Sequence, residues 1–289
     1  IPGPGRAVQC AMAQLTEAGK VDGPVLIAAS DMPLLDSETL HRLVEFHTAS
    51  GNGATVLTTI LDDPTGYGRI IRDREGNVLR IVEQKDANSS ELAVREVNTS
   101  VYVFDAKLLA EAIANLKSNN AQGEFYLTDV LEICRGAGRD VLALPASDVS
   151  ECLGVNSRVQ LAAATCALQS RINKEHMAAG VTMWDPTSVW IGPDVEIAPD
   201  VELLPQTFLL GKTQVGEDSV IGPNTRLTDT VVGSGCTIDE TVAIEARIDD
   251  EATCGPRAYL RPGAHLCEGA KAGTHVEIKK STIGRGSKV

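Results

Sequence analysis

The sequence predicts an α/β domain with a mostly parallel sheet, then one long helix, then a solenoid of short parallel strands. Three observations predict it. Apolar runs alternate with amphipathic segments over the first half. Residues 157–179 contain neither Pro nor Gly. From Ile191 onward a bulky aliphatic recurs every six residues.

In the first half, 24–29 is a continuous apolar run bounded by Gly23 and Ser30-Asp31, the composition of a buried strand. A helix follows over about 36–47, with Asp36 or Ser37 as N-cap and Leu40, Leu43 and Val44 on one face. Further strands are expected at 54–61, 70–72, 78–82, 101–104 and 141–144, those at 70–72 and 78–82 flanking the turn Arg74-Glu75-Gly76-Asn77. Helices are expected near 107–116 and 126–136. Strands alternating with helices imply a sheet covered on both faces.

The region 157–179 is rich in Ala, Leu, Gln and Arg and reads as one helix, an arm between domains. Beyond it, Ile191, Ile197, Leu203, Leu209, Val215, Ile221 and Leu227 keep strict period six, each preceded two residues earlier by a smaller side chain. The phase slips, resumes at Val232, Ile238 and Ile244, slips again and runs on through Ile248, Cys254, Leu260, Leu266, Ala272 and Ile278. Neither a helix nor an ordinary sheet has that period. A solenoid does, if each hexad forms one wall of a coil and turns its aliphatic inward. The division expected is 1–156, 157–180 and 181–289.

Composition narrows the function. A chain of 289 residues suggests two domains. A net charge of -13 argues against nonspecific nucleic-acid or anionic-lipid partners, and 3% aromatics leave few platforms for base stacking. No apolar run approaches the roughly 20 residues that span a bilayer, and no signal peptide is visible. The seven cysteines are odd in number, scattered and without metal-type spacing, which reads as a reducing, cytoplasmic setting.

Ligands of open α/β sheets bind at the carboxyl ends of strands. Ala28-Ala29-Ser30-Asp31 ends the first apolar run, and Asp31 could hold Mg²⁺ against nucleotide phosphates or simply cap the turn before Pro33. The turn Gly66-Tyr67-Gly68-Arg69 could admit a ligand close to backbone or merely join two strands. Glu83 ends a strand, Asn98 precedes one, and Asn156 stands where an N-cap would stand at the mouth of the long helix.

Four motifs occur in order: Asp63 to Arg69 (DPTGYGR), Val82 to Asp86 (VEQKD), Asn119 to Asp129 (NNAQGEFYLTD) and Gly154-Val155-Asn156. With the helix and the hexapeptide repeat behind them, they resemble the bacterial bifunctional N-acetylglucosamine-1-phosphate uridyltransferase/glucosamine-1-phosphate N-acetyltransferases. The resemblance covers essentially the whole chain. It implies a Rossmann-like nucleotidyltransferase domain and a left-handed β-helix that assembles as a homotrimer. It implies two reactions that make UDP-N-acetylglucosamine for peptidoglycan and cell-envelope polysaccharides. One joins UTP to N-acetylglucosamine 1-phosphate and releases pyrophosphate; the other moves an acetyl group from acetyl-CoA to glucosamine 1-phosphate.

By position, the resemblance makes Asp31 and Asn156 the protein ligands of Mg²⁺. It sets Ala29 and Ser30 against the nucleotide sugar, Gly68, Glu83 and Asn98 against the N-acetyl sugar, and Gly3 and Pro4 beside uracil. Arg261 and Lys279 would bind glucosamine 1-phosphate, two cations suiting a phosphomonoester, although a solvated surface pair is the common fate of such residues. The chain departs from the family at Pro4 for Thr, Arg6 for His, Ala29-Ser30 for an aromatic-Gly pair and Ser100 for Gly. The family's opening Gly-rich loop and the catalytic His of acetyl transfer find no match here, and neither His265 nor His275 occupies that position. The expectation is a segment of a longer gene product that carries neither activity by itself. The rival readings are a nucleotidyltransferase for another sugar 1-phosphate with a β-helix tail, and a trimeric β-helix scaffold with a non-catalytic first domain.

Overall fold

A computed structural model describes residues 3–289. The chain divides into two compact units, Ile1–Ala164 and Thr165–Val289.

The first unit opens on a helix that the sequence reading did not assign, α1 (Pro4–Glu17). Pro4 starts it without loss, because a first-turn N–H has no helical partner anyway. Then come β1 (Pro24–Ile27), α2 (Ser37–Ser50), β2 (Ala54–Ile60), β3 (Arg69–Arg72), β4 (Val78–Val82) and the short α3 (Ser89–Leu92). They are followed by β5 (Glu96–Asp105), α4 (Ala106–Ile113), α5 (Asp129–Gly136) and β6 (Val141–Pro145). Asp36, not Ser37, caps α2, accepting from the Glu38 N–H at 2.9 Å, and Gly51 closes the helix in the left-handed region at φ 61.

The sheet is mixed rather than mostly parallel. Its order is β4-β3-β5-β2-β6, with β1 on β5. Only β2 and β6 run parallel. Two local causes reverse the rest. The turn at 73–77, organised by Asp73 Oδ1 accepting from the N–H groups of Glu75 and Asn77, folds β4 back on β3 as a hairpin. The ten-residue β5 then enters antiparallel to β1, β2 and β3 together. β1 pairs only with β5 and is half open, Leu26 being 40% exposed, so it is an edge strand and not the buried strand its composition suggests.

Both faces of the sheet are covered, as expected. Val56, Tyr102 and Phe104 pack with Met12 of α1, Leu109 of α4 and Leu131 of α5. The alternate residues Leu57, Val101 and Val103 pack with Leu43 of α2.

The long helix α6 is Arg158–Ala178, and the boundary between the units falls within it. Eighteen short strands follow, β7 (Thr182–Met183) to β24 (Thr282–Ile283), in three six-stranded parallel sheets. Each strand pairs with the third strand before and after it, which makes a solenoid of about six coils. Leu203, Leu209, Ile221, Leu227, Ile238, Leu260 and Leu266 are wholly buried inside. The phase slips now have a cause: paired positions lie 18 residues apart in Phe208↔Arg226 but 16 apart in Arg226↔Val242 and Val231↔Arg247, so some walls hold five residues. One expectation is corrected here. Ala243, not Ile244, points inward, because the wall after Ile238 is a five-residue one.

Coil corners repeatedly use the left-handed backbone. Some carry Gly, such as Gly235 and Gly263, and many do not, such as Asp218, Glu245, Glu251 and His275. The small residues before the aliphatics, Thr207, Thr213, Ser219 and Thr225, are wholly buried, and each hydroxyl donates to a backbone carbonyl. All seven cysteines are free; Cys134, Cys152, Cys236 and Cys254 fill cores, while Cys10 and Cys166 lie on the surface.

Candidate active site

The carboxyl end of β1 delivers Ala28 to Asp31 to a cleft in the first unit. Gly68 enters from the loop before β3, Glu83 from the end of β4, Asn98 from β5, and Gly154 and Asn156 from the segment after a short 3₁₀ turn at Val149–Cys152. Ala29, Asp31, Glu83 and Asn98 border both halves of the cleft, and Ser30 and Pro4 border the half that also meets Tyr102, Tyr126 and Thr128. Of the residues expected at the nucleotide site, Gly3 alone is not in the lining. At φ 113 it leads into α1, where a Cβ would lie 2.8 Å from the Phe125 carbonyl oxygen.

Two alternatives raised by the sequence fall away. The carboxylate of Asp31 makes no turn-capping bond among the described residues; the turn is held instead by the Val155 N–H donating to the Asp31 carbonyl at 2.8 Å. The cap of α6 is Ser157, whose Oγ accepts from the Gln160 N–H at 3.2 Å, while Gln160 reaches back to the Asn156 N–H at 2.8 Å. The side chain of Asn156 is therefore not used as the cap. Gly154 lies between the two candidate ligands: its missing Cβ would stand 3.5 Å from Asp31 Oδ2 and 3.7 Å from Asn156 Nδ2. One carboxylate and one amide are a donor set that fits Mg²⁺, which completes its shell with phosphate oxygens and water.

Asn98 is 4% exposed and held at both ends. Its Nδ2 donates to Tyr102 Oη at 2.7 Å, and its Oδ1 accepts from the Ser100 N–H at 3.0 Å. Ser100 has φ 62, so the position where the resemblance implies Gly is a left-handed one, at the irregularity where the β2–β5 register shifts. Gly68 makes room for Glu83, since a Cβ there would meet Ile81 at 2.9 Å and both Glu83 oxygens at 3.4 Å. Burial pushes the Glu83 carboxyl above its usual range, with Asp129 and Asp86 adding repulsion and Thr128, donating to Oε1 at 3.4 Å, opposing. Asp129, on the far side of Glu83, is pushed up to about 6 by burial, then by Glu132 and Asp86.

The sequence reading named no role for Arg69, Gln84 or Tyr67, although their motifs were singled out. Arg69 is 2% exposed, donates to Gln84 Oε1 at 2.8 Å and to the Tyr67 carbonyl, and Gln84 also accepts from the Gly66 N–H at 3.3 Å. This latch fixes the loop that carries Gly68. Tyr67 Oη accepts from the Gly154 N–H at 3.5 Å, tying that loop to the Asn156 segment.

Arg261 and Lys279 belong to the second unit. Leu260 pairs with Ile278 in the next coil, so the two cations follow at equivalent positions of adjacent coils. Arg261 is engaged by Glu277 Oε1 at 2.7 Å and lies 5.9 Å from the Tyr259 ring centre.

A family model described as nucleotidyl transferase matches residues 3–178. A Bifunctional protein GlmU of Bifidobacterium longum (strain DJO10A) is 66% identical over 289 residues, covering 100% of this chain and 63% of its own length. Proteins of the same description from Bifidobacterium animalis subsp. lactis and Streptomyces avermitilis are 57% and 50% identical, covering 100% and 99% of this chain. The chain spans 63% of the first of these relatives, 63% of the second and 59% of the third. No helix among the described residues is long and apolar enough to cross a membrane.

Proposed function

Because this chain belongs to the nucleotidyl transferase family, we propose that its first unit serves uridyl transfer from UTP to N-acetylglucosamine 1-phosphate, with release of pyrophosphate. The observation that carries the reading is the convergence of Asp31, Gly68, Glu83, Asn98 and Asn156 on one cleft from five separate segments. The names of the GlmU relatives, at up to 66% identity, support it. The full activity is that of a longer protein such as those relatives, of which the chain matches 63%.

In this reading a phosphate oxygen of the sugar phosphate attacks the α-phosphorus of UTP, and the bond to the pyrophosphate oxygen breaks. A phosphomonoester is already a nucleophile at neutral pH, so no residue needs to act as base, and catalysis is positioning and charge neutralisation. Asp31 and Asn156 would hold Mg²⁺, which supplies positive charge to the phosphates when bound. Ala29 and Ser30 line the nucleotide-sugar pocket, with Pro4 beside the base and Gly3 behind it at the start of α1. Asn98, fixed by Tyr102 and Ser100, keeps one amide hydrogen and one carbonyl lone pair for the sugar. Glu83 accepts from sugar hydroxyls in a half-buried setting where such bonds are strong.

The second unit is the acetyltransferase part, with Arg261 and Lys279 receiving glucosamine 1-phosphate and acetyl-CoA as donor. The reading includes a cytoplasmic location, a homotrimer formed by the solenoid, and the boundaries 1–156, 157–180 and 181–289.

The test is pyrophosphate release by the full-length protein with Mg²⁺, UTP and, in turn, N-acetylglucosamine 1-phosphate, glucose 1-phosphate or mannose 1-phosphate. Release with the N-acetyl sugar alone is expected, with a loss of at least about a hundredfold in Asp31→Ala. Release with another sugar instead overturns the substrate, and no release with any overturns the reaction.

A further inference from the structure

Three side chains of the solenoid meet although they come from two different coils. Strand β18 (Arg247–Ile248) pairs with β21 (His265–Leu266), Arg247 opposite His265 and Ile248 opposite Leu266. The Asp249 N–H donates to the Leu266 carbonyl at 2.8 Å, so Asp249 and Cys267 leave these strands side by side. His265 Nε2 lies 2.7 Å from Asp249 Oδ2, and the imidazole nitrogen, the carboxylate oxygen and Cys267 Sγ all lie within 4.8 Å of one another. Among the described residues this is the only such trio of His, Cys or acidic groups. A His–Asp hydrogen bond by itself accounts for two of the groups and leaves the sulfur without a role.

We infer that Asp249, His265 and Cys267 form a binding site for a divalent transition-metal ion of the Zn²⁺ class, through one oxygen, one nitrogen and one sulfur. The donor types decide the class. Thiolate and imidazole suit Zn²⁺ and are poor partners for Mg²⁺ or Ca²⁺. The spacing is adequate: Zn²⁺ bonds of about 2.0–2.3 Å in a tetrahedron set ligand atoms about 3–4 Å apart, so the His265–Asp249 pair, at 2.7 Å, opens by about half an ångström and contacts as long as 4.8 Å close by about one, movements that side chains make while the backbone stays. The scaffold is firm, because Ile248 and Leu266 beside the ligands are 1% and 0% exposed. Arg247 Nε donates to Asp249 Oδ1 at 2.7 Å, which orients the carboxylate with Oδ2 toward His265. Binding releases the thiol proton of Cys267 to solvent, His265 coordinates through Nε2 as a neutral imidazole with its proton on Nδ1, and thiolate plus carboxylate balance the ion's two charges. Three protein ligands leave a fourth position for water or an outside ligand. The ion replaces the His265–Asp249 hydrogen bond with coordinate bonds between the two coils, so it staples β18 to β21. This site is independent of the nucleotide cleft and of the reading given above.

The experiment titrates the metal-free chain with Co²⁺, a spectroscopic stand-in for Zn²⁺. A thiolate-to-cobalt charge-transfer band is expected to rise to one equivalent, to be displaced by Zn²⁺ and to resist Mg²⁺. Cys267→Ser should abolish the band, and Asp249→Asn and His265→Ala should weaken Zn²⁺ binding at least about tenfold. The double variant Cys10→Ala, Cys166→Ala, which removes the two surface thiols, should keep the band. Absence of the band in the parent chain overturns the site, as does its persistence in Cys267→Ser. Circular dichroism of each variant distinguishes loss of ligand from loss of fold, and Cys267→Ser is nearly isosteric.

Discussion

At the scale of single residues, the cleft is lined by side chains that the sequence names, in conformations that it does not. Ser100 stands out in the sequence only as a departure from the Gly that the resemblance implies, and its φ of 62 gives that departure a physical meaning. An L residue there costs about 1–2 kcal/mol, part of which a glycine returns through its freer unfolded state. Ser100→Gly should therefore raise unfolding stability by about 0.5–1 kcal/mol, read as a higher urea midpoint at unchanged slope. Asn156 illustrates the opposite problem. Its position before a helix suggests a cap, and only the bond from Gln160 N–H to Ser157 shows that the cap is taken by its neighbour. The roles of Arg69 and Gln84 were hidden for a different reason: the bond between them joins residues 15 apart, and nothing in either motif states that distance.

At the scale of elements, the start of α5 carries an acid where burial opposes charge. Asp129 is raised from 3.8 to about 6. Well below pH 3.8 it is protonated folded and unfolded alike, and it costs the fold nothing. As pH climbs from 3.8 to 6, the unfolded chain releases the proton first, so stability falls across that window. The side chain is partly open and sits at a helix N-terminus, both of which lessen the cost to about 1 kcal/mol or less. Asp129→Asn should raise the melting temperature at pH 7.5, and the gain should vanish at pH 3.5; an equal gain at both values would assign the effect to packing. Element identity was largely readable: helices α2 and α6 and the β3–β4 hairpin announce themselves through caps, composition and turn residues. Strand direction was not. Alternation of strands and helices favours parallel pairing in general, but β5 is long enough to pair with β1 and β3 along one edge and β2 along the other, and that choice is made by tertiary packing. The helix α1 escaped because its sequence, Gly3-Pro4-Gly5 at the start, has the residues of a turn.

At the scale of the whole molecule, the two units record different kinds of information. In the second unit the period of six writes the fold directly into the sequence, since every coil repeats the same burial problem. Even there, reading fails where a wall shortens by a residue and Ala243 takes the inward place. The meeting of Asp249, His265 and Cys267 was also unreadable, because ligands 16 and 18 residues apart match no linear metal motif and become neighbours only when one coil lies on the next. The pairing Phe208↔Arg226 has a further consequence. Residues 208–225 make one complete circuit, so excising them sets Arg226 in the place of Phe208 with every later wall still in phase. Such a chain should fold and unfold cooperatively, shorter by one strand spacing of about 4.8 Å. Excising 208–216 alone, half a circuit, should turn inward residues outward and lose amide protection through the rest of the unit. The solenoid is in that sense digital: its length can change by whole counts, and fractions are not allowed.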